Sequence, residues 1–206
     1  MNDLTKIISP KEAITEFTYN KLGELTSTKD PLGNITKNTL DLNGRTKEIS
    51  LPNGAKYNYE YDPIGKLTKI TAPEEIQKEF IYDNKDNLVE EIDSHGNIAK
   101  YSYDIMHRLI STTNAENQTT NYEYDQVGNL ASVINSLGGK TSYSYDILDK
   151  LEKQTDPTGL VTSFEYDVLG NLTKQDRSGE RITTYTYDQV GNQKTITNAT
   201  RTNSKL

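Results

Sequence analysis

The chain has 206 residues, a formal net charge of -7, 33% hydrophobic residues and no cysteine. The missing thiols exclude a disulfide framework and a thiolate metal site. The acidic balance, with Lys and Arg scattered singly, argues against nucleic acid and anionic membrane, whose recognition begins with clustered basic residues. The opening MNDLTKIISP lacks the basic and apolar regions of a secretory signal, and no stretch approaches the ~18 apolar residues of a membrane span.

In chain order, the first residues already belong to a pattern. Leu4, Ser9-Pro10, Ile14 and Phe17 fill slots that recur later at steps of 21, so the chain starts inside a repeat. Stepping by 21 from Tyr19 lands on Leu40, Tyr61, Tyr82, Tyr103, Tyr124, Tyr145, Tyr166 and Tyr187. Such a period has to be settled before any count of domains. With this tyrosine as offset 0, offset -2 holds Phe17, Tyr59, Phe80, Tyr101, Tyr122, Tyr143, Phe164 and Tyr185, with Asn38 the exception. Positions two apart share a face only in a strand. The segment ending at each tyrosine is therefore a strand with one aromatic and one mostly polar face.

The turn follows. Offset 1 is Asp41, Asp62, Asp83, Asp104, Asp125, Asp146, Asp167 and Asp188, with Asn20 in the first unit. Offset 4 is Gly23, Gly44, Gly65, Gly128, Gly170 and Gly191, with Asp86, His107 and Asp149 as departures. These residue types accept positive φ, and Asp bonds its own backbone two residues on. Offset 6 (Leu25, Leu67, Leu88, Leu109, Leu130, Leu151, Leu172; Thr46 and Gln193 as exceptions) opens a second strand of about six residues. Asp30-Pro31-Leu32-Gly33, Pro52-Asn53-Gly54 and Asp156-Pro157-Thr158-Gly159 then mark a second turn.

Each repeat is thus one β-hairpin that buries too little to fold alone and needs its neighbours. The expected fold is all-β: about nine tandem 21-residue hairpins over 1–198, forming a curved antiparallel sheet of roughly 18 strands, with a degenerate tail over 199–206. A barrel of that many strands already leaves an open lumen.

The phrases YDxxGNL, DPxG and YxYD, clearest at Tyr124, Tyr166 and Tyr187, resemble the YD repeat of the Rhs family over nearly the whole chain. The resemblance implies a sheet strip spiralling into a hollow shell, as in bacterial polymorphic toxins, toxin complexes and animal teneurins. In toxin members the shell encloses a C-terminal toxin domain, and surface-exposed members are linked to carbohydrate binding. It implies a non-catalytic wall, secreted or displayed as part of a longer Rhs polypeptide, with that polypeptide and its toxin domain as partners. The alternative is an adhesive module for cell-surface carbohydrate. The family's core segment with its self-cleaving aspartate is not visible, and Asp156 to Leu160, which resembles part of it, sits in an ordinary mid-repeat turn.

No catalytic, cofactor or metal residues are expected. The Asp column repeats every second strand, roughly 9.6 Å, too far to share a calcium ion. His95 and His107 both fall in turn slots, and no Ser-His-Asp set has its geometry fixed by the pattern. The residues expected to matter are scaffold: Tyr19, Tyr61, Tyr82, Tyr103, Tyr124, Tyr145, Tyr166 and Tyr187; Asp62, Asp104, Asp125, Asp146, Asp167 and Asp188; Gly65, Gly128, Gly170 and Gly191.

Overall fold

The computed structural model describes residues 4–178 and 180–200, so the expected tail beyond Thr200 lies outside the described residues. The chain forms two compact units, Met1–Lys100 and Tyr101–Leu206. The first holds β1 (Lys6–Ile8), β2 (Ile14–Tyr19), β3 (Leu25–Lys29), β4 (Ile35–Leu40), β5 (Thr46–Ser50), β6 (Lys56–Tyr61), β7 (Leu67–Thr71), β8 (Gln77–Tyr82), β9 (Leu88–Asp93) and the start of β10 (Ile98–Tyr103). The second holds the end of β10, then β11 (Leu109–Thr113), β12 (Thr119–Tyr124), β13 (Leu130–Ile134), β14 (Lys140–Tyr145), β15 (Leu151–Thr155), β16 (Val161–Tyr166), β17 (Leu172–Arg177), β18 (Arg181–Tyr187) and β19 (Gln193–Thr200). Within each unit every strand pairs antiparallel with the strands before and after it in sequence.

The strands are all-β hairpins at the expected places. Among the described residues nineteen are seen where roughly 18 were expected; the additional one is β1, three exposed residues paired with β2. β19 runs on to Thr200, past residue 198.

Eight of the hairpins carry a feature that no residue type announces. The pairing runs Thr18↔Ser27 and then Tyr19↔Leu25, so Thr26 is an extra residue. The same skip recurs at Lys47, Thr68, Val89, Ala131, Glu152, Thr173 and Lys194. This is a β-bulge at offset 7, which bends the strand and resets its alternation. Because of it, Leu25 at offset 6 and Thr28 at offset 9 both lie on the face of Tyr19 and Phe17. Unbroken alternation would put them on opposite faces.

Neither face is a core. Among the described residues no hydrophobic side chain is buried, and Ser132, 1% exposed, is the one buried residue. The aromatic face is half-buried, as in Tyr57, Tyr59 and Tyr61 of β6, while Lys56, Asn58 and Glu60 are exposed. The polar face carries cross-strand pairs such as Lys29–Glu16 at 3.1 Å, Lys56–Glu48 at 3.0 Å and Lys140–Glu123 at 2.9 Å. Ser132 lies beneath the last of these, its hydroxyl donating to Glu123 at 2.5 Å. Lys140 and then Ser132 hold the Glu123 carboxyl below its ordinary range. Pairs this exposed contribute little each and mainly fix strand register.

Candidate functional site

The repeated chemistry is concentrated at the Tyr-Asp turn. In each turn the carboxylate folds onto its own backbone: Asp125 Oδ1 accepts from the amides of Val127 at 3.0 Å, Gly128 at 2.8 Å and Asn129 at 2.8 Å. Asp62, Asp104, Asp146, Asp167 and Asp188 make the corresponding bonds to the amides two and four residues on. The side-chain amides of Asn171 and Asn192 reinforce this at Asp167 and Asp188, lowering both carboxyls from their ordinary value. At Asp41 and Asp104 partial burial pushes upward, but the backbone and guanidinium bonds from Arg45 and Arg108 outweigh it and both carboxyls are lowered. An Asx turn of this kind needs a left-handed residue at offset 4. Gly65, Gly128, Gly170 and Gly191 sit at φ 101, 106, 90 and 85°, and the departures Asp86, His107 and Asp149 adopt 72, 61 and 59°.

The tyrosines act between repeats. Seven of these hydroxyls donate to the carbonyl fifteen residues earlier, at offset 6 of the preceding hairpin. The series is Tyr19 to Leu4, Tyr61 to Thr46, Tyr82 to Leu67, Tyr124 to Leu109, Tyr145 to Leu130, Tyr166 to Leu151 and Tyr187 to Leu172, all within 2.8–3.0 Å. The accepting residues stand beside the bulge, where the ladder is locally disrupted. Tyr103 holds the same offset in β10. Burial raises the hydroxyls of Tyr61, Tyr145 and Tyr166 above the usual phenol value.

A second link uses offset 5. Arg45 lies 4.8 Å from the Tyr61 ring centroid, Lys66 4.9 Å from Tyr82, Arg108 4.6 Å from Tyr124 and Lys150 5.4 Å from Tyr166. These are cation–π contacts, and Arg45 and Arg108 are also ion-paired to Asp41 and Asp104 at 2.6 and 2.7 Å. The same side chains reach the next turn. A Cβ added at Gly65 would lie 3.2 Å from Arg45 Nη1, and one at Gly170 would lie 3.0 Å from Lys150 Nζ. Where offset 4 is not glycine, the contact becomes polar: Lys66 pairs with Asp86, and Asn129 Nδ2 donates to Asp149 at 2.9 Å.

The sequence pattern identified the tyrosine, aspartate and glycine columns but not what joins them across repeats. The available signal was a basic residue at offset 5 sixteen residues before a tyrosine. Among the described residues no three His, Asp or Glu side chains are grouped so as to hold a metal. One groove of about 340 Å³ opens where Arg177, Arg181, Thr183, Tyr185 and Asn198 meet. There Arg177 replaces the Asp or Asn usual at offset 11, the strands run one pair further, and Arg177 lies opposite Arg181. Thr183 donates to Asn198 at 2.8 Å across the groove. No helix among the described residues is long and apolar enough to cross a membrane.

An antiparallel row of hairpins, linked by tyrosine hydroxyls that reach back to the preceding hairpin and closed by Asx turns, defines a YD-repeat protein. Residues 74–206 match the Teneurin YD-shell family, and the chain belongs to it; residues 41–75 match the RHS Repeat. No curated protein matches the sequence. Among solved structures the chain is similar to the crystal structure of TcdB2-TccC3-TEV, with TM-score 0.67 and 16% identity over 94% of this chain and 13% of that one. TcdB2-TccC3 itself gives TM-score 0.67 and 16% identity over 90% and 13%. The Photorhabdus luminescens Tc holotoxin pore, carrying a TccC3 mutation, gives TM-score 0.53 and 16% over 92% and 14%. The chain thus spans about 13% of the length of the first of these.

Proposed function

We propose that this chain is a wall segment of an Rhs-type shell that encloses or presents a C-terminal toxin domain, with no chemistry of its own. The observation that carries this reading is the engagement of the repeated polar groups. The tyrosine hydroxyls and the four basic residues at offset 5 named above hold one hairpin against the next, and the turn carboxylates are committed to closing each hairpin on its own backbone. The matched region is about 13% of the first aligned structure's chain, which suits a segment of a larger array. Its partners would be the rest of that polypeptide and the toxin it holds, and the whole would be secreted or displayed at the cell surface.

The test is the native gene product. Sequencing outward from both ends, with a transcript read across them and an intact mass of the protein from its source, should reveal further YD repeats, a core segment and an unrelated C-terminal domain. A mature protein of 206 residues from a transcript of matching length would refute the reading. A second reading, carbohydrate binding, has one feature in its favour: the groove at Tyr185 combines an aromatic ring with the polar groups of Thr183 and Asn198, the mixture a sugar subsite uses. A glycan-binding screen decides it. Saturable binding abolished by Tyr185→Ala, or by replacing Tyr101 or Tyr143, would favour adhesion over enclosure.

A further inference from the structure

One mid-repeat turn breaks the rule the others follow. At offset 11, Ser9, Asp30, Asp93, Asn114, Asn135 and Asp156 each accept, through a side-chain oxygen, the backbone amide four residues on. Two further turns are apolar at both positions, Leu51 with Ala55 and Ala72 with Ile76. In the last of the series both positions are arginine, Arg177 and Arg181. Arginine has no acceptor atom, so neither can close the turn in the usual way. Ser178 takes over that tie: its hydroxyl accepts from the Val161 amide and donates to the Val161 carbonyl, both at 2.8 Å. The strands lengthen, and Arg177 comes to face Arg181 directly. Residues so opposed have Cβ atoms ~4.5–5.5 Å apart, and like charges there are destabilising.

The protein leaves this charge uncompensated. Among the described residues no carboxylate is ion-paired with either guanidinium. Asp156, at the same offset in the preceding hairpin, is occupied by the Thr158 hydroxyl at 2.6 Å and by the amides of Thr158 and Leu160. Both arginines line the groove of about 340 Å³, a volume within the ~300–1,000 Å³ of small-molecule sites. The register continues that face inward: Gln175 stands opposite Thr183, Thr183 opposite Asn198, and Tyr185 follows along β18. Asn198 Oδ1 accepts from Thr183 at 2.8 Å and from Arg181 Nη2 at 3.5 Å, so most guanidinium donors remain for a ligand. The groove therefore has two fixed positive charges at one end, amide and hydroxyl groups along it, and an aromatic ring about two steps of ~6.8 Å away.

We infer that Arg177 and Arg181 form an anion site, and that its ligand is a small phosphate monoester whose organic part lies along Thr183 and Asn198 toward the Tyr185 ring. The choice of anion follows from charge and shape. A phosphate monoester carries close to two negative charges and three strong acceptor oxygens, enough for each guanidinium to bind in its two-pronged fashion. A carboxylate offsets one arginine and leaves the other opposed to it. The site goes beyond the wall reading and does not depend on it. It shares the groove with the carbohydrate reading, but its anchor is the arginine pair and not the ring.

The experiment is an amide NMR titration of the full chain with phenyl phosphate, in physiological salt and above the second phosphate pKa of about 6. Phenyl sulfate, with the same ring and one charge, and glucose, with none, are the comparison probes. Phenyl phosphate should shift the Arg177, Arg181 and Thr183 amides saturably, and phenyl sulfate should bind several-fold more weakly. Arg177→Gln and Arg181→Gln should each weaken phenyl phosphate by about tenfold or more, the expectation for lost hydrogen bonds to a charged group. Both side chains are exposed, so each variant should keep the wild-type spectrum outside the groove. Lys174→Gln removes the same charge from the opposite face of β17, where Lys174 pairs with Glu165, and should leave binding unchanged. The absence of saturable shifts with phenyl phosphate overturns the inference, as does equal affinity for phenyl sulfate or binding that survives both arginine variants. Glucose binding that is lost in Tyr185→Ala but indifferent to both arginines, with no phenyl phosphate binding, would sink this site and leave the carbohydrate reading standing. Phenyl phosphate binding without glucose binding does the reverse.

Discussion

Replacing Tyr124 by phenylalanine isolates the link between hairpins from the aromatic surface. The ring stays, so the Arg108 contact at 4.6 Å is retained, while the hydroxyl bond to the Leu109 carbonyl at 2.9 Å is lost. A net hydrogen bond contributes about 1 kcal/mol, and leaving a half-buried acceptor unsatisfied raises the loss to ~1–2 kcal/mol. Tyr124→Leu should lose ~0.5–1 kcal/mol more through the cation–π contact, and a double-mutant cycle with Arg108→Gln should recover that coupling. Arrays open section by section rather than all at once. Hydrogen exchange of the β11 and β12 amides, read as local opening free energy, is therefore the appropriate assay. Opening of β11 to β13 should become about tenfold easier, while β2 to β5 are unaffected. An exchange pattern for Tyr124→Phe indistinguishable from wild type at β11, or a loss spread evenly over both units, would refute the argument.

Further perturbations test the turns. Gly44 is at φ 80° and an added Cβ would fall inside the Glu24 carboxylate, whereas at Gly54, φ 85°, nothing lies within 4 Å. Gly44→Ala and Gly54→Ala should share a backbone penalty of ~1–2 kcal/mol, with Gly44→Ala slightly worse in urea titration because Glu24 must also move. Asp86→Gly should be neutral or mildly stabilising by the same titration, since it relieves a non-glycine residue at φ 72° and loses an ion pair whose Asp86 side chain is 65% exposed. The pH profile should fall at both ends. Carboxyls lowered on folding, including Asp83, Asp93, Asp167 and Asp188, stabilise fully above their unfolded value of about 4 and lose that contribution as pH falls through the folded values. Tyr61, Tyr145 and Tyr166 are raised, so their contribution is complete below about pH 10 and is lost as pH rises through the folded values. Circular dichroism across the full range checks both limbs.

Much of this architecture was legible because it is written in residue types that admit few alternatives. Paired aromatics two apart, Asp at a turn start and Gly at a left-handed slot each have a backbone reason, and repetition turns weak signals into a firm register. The bulge was not legible because it is a backbone event: offset 7 holds Thr26, Lys47, Ala131 and Glu152, with no shared chemistry. The tyrosine-to-carbonyl bonds were hidden for a related reason. Their acceptor is main chain, and its availability follows from the bulge. The shift of Leu25 onto the aromatic face has the same origin.

The departures from the pattern show that these links, more than the residue types, are what the fold requires. The second repeat has Leu40 where every other has tyrosine, so the Leu25 carbonyl has no hydroxyl to receive. That same repeat alone lacks an aromatic at offset -2, and the substitute, Asn38, directs its amide to the Leu25 carbonyl at 3.4 Å. With no tyrosine ring at offset 0, a cation in the preceding repeat would have nothing to cover. Offset 5 there is Glu24, the one acidic residue in that column, and its carboxylate instead accepts from Asn20 at 2.6 Å and lies over Gly44. Three exceptions that look independent in the sequence therefore describe one alternative junction. A carbonyl beside a bulge needs a donor, and the chain supplies a tyrosine two strand-ends later or an asparagine two residues before it.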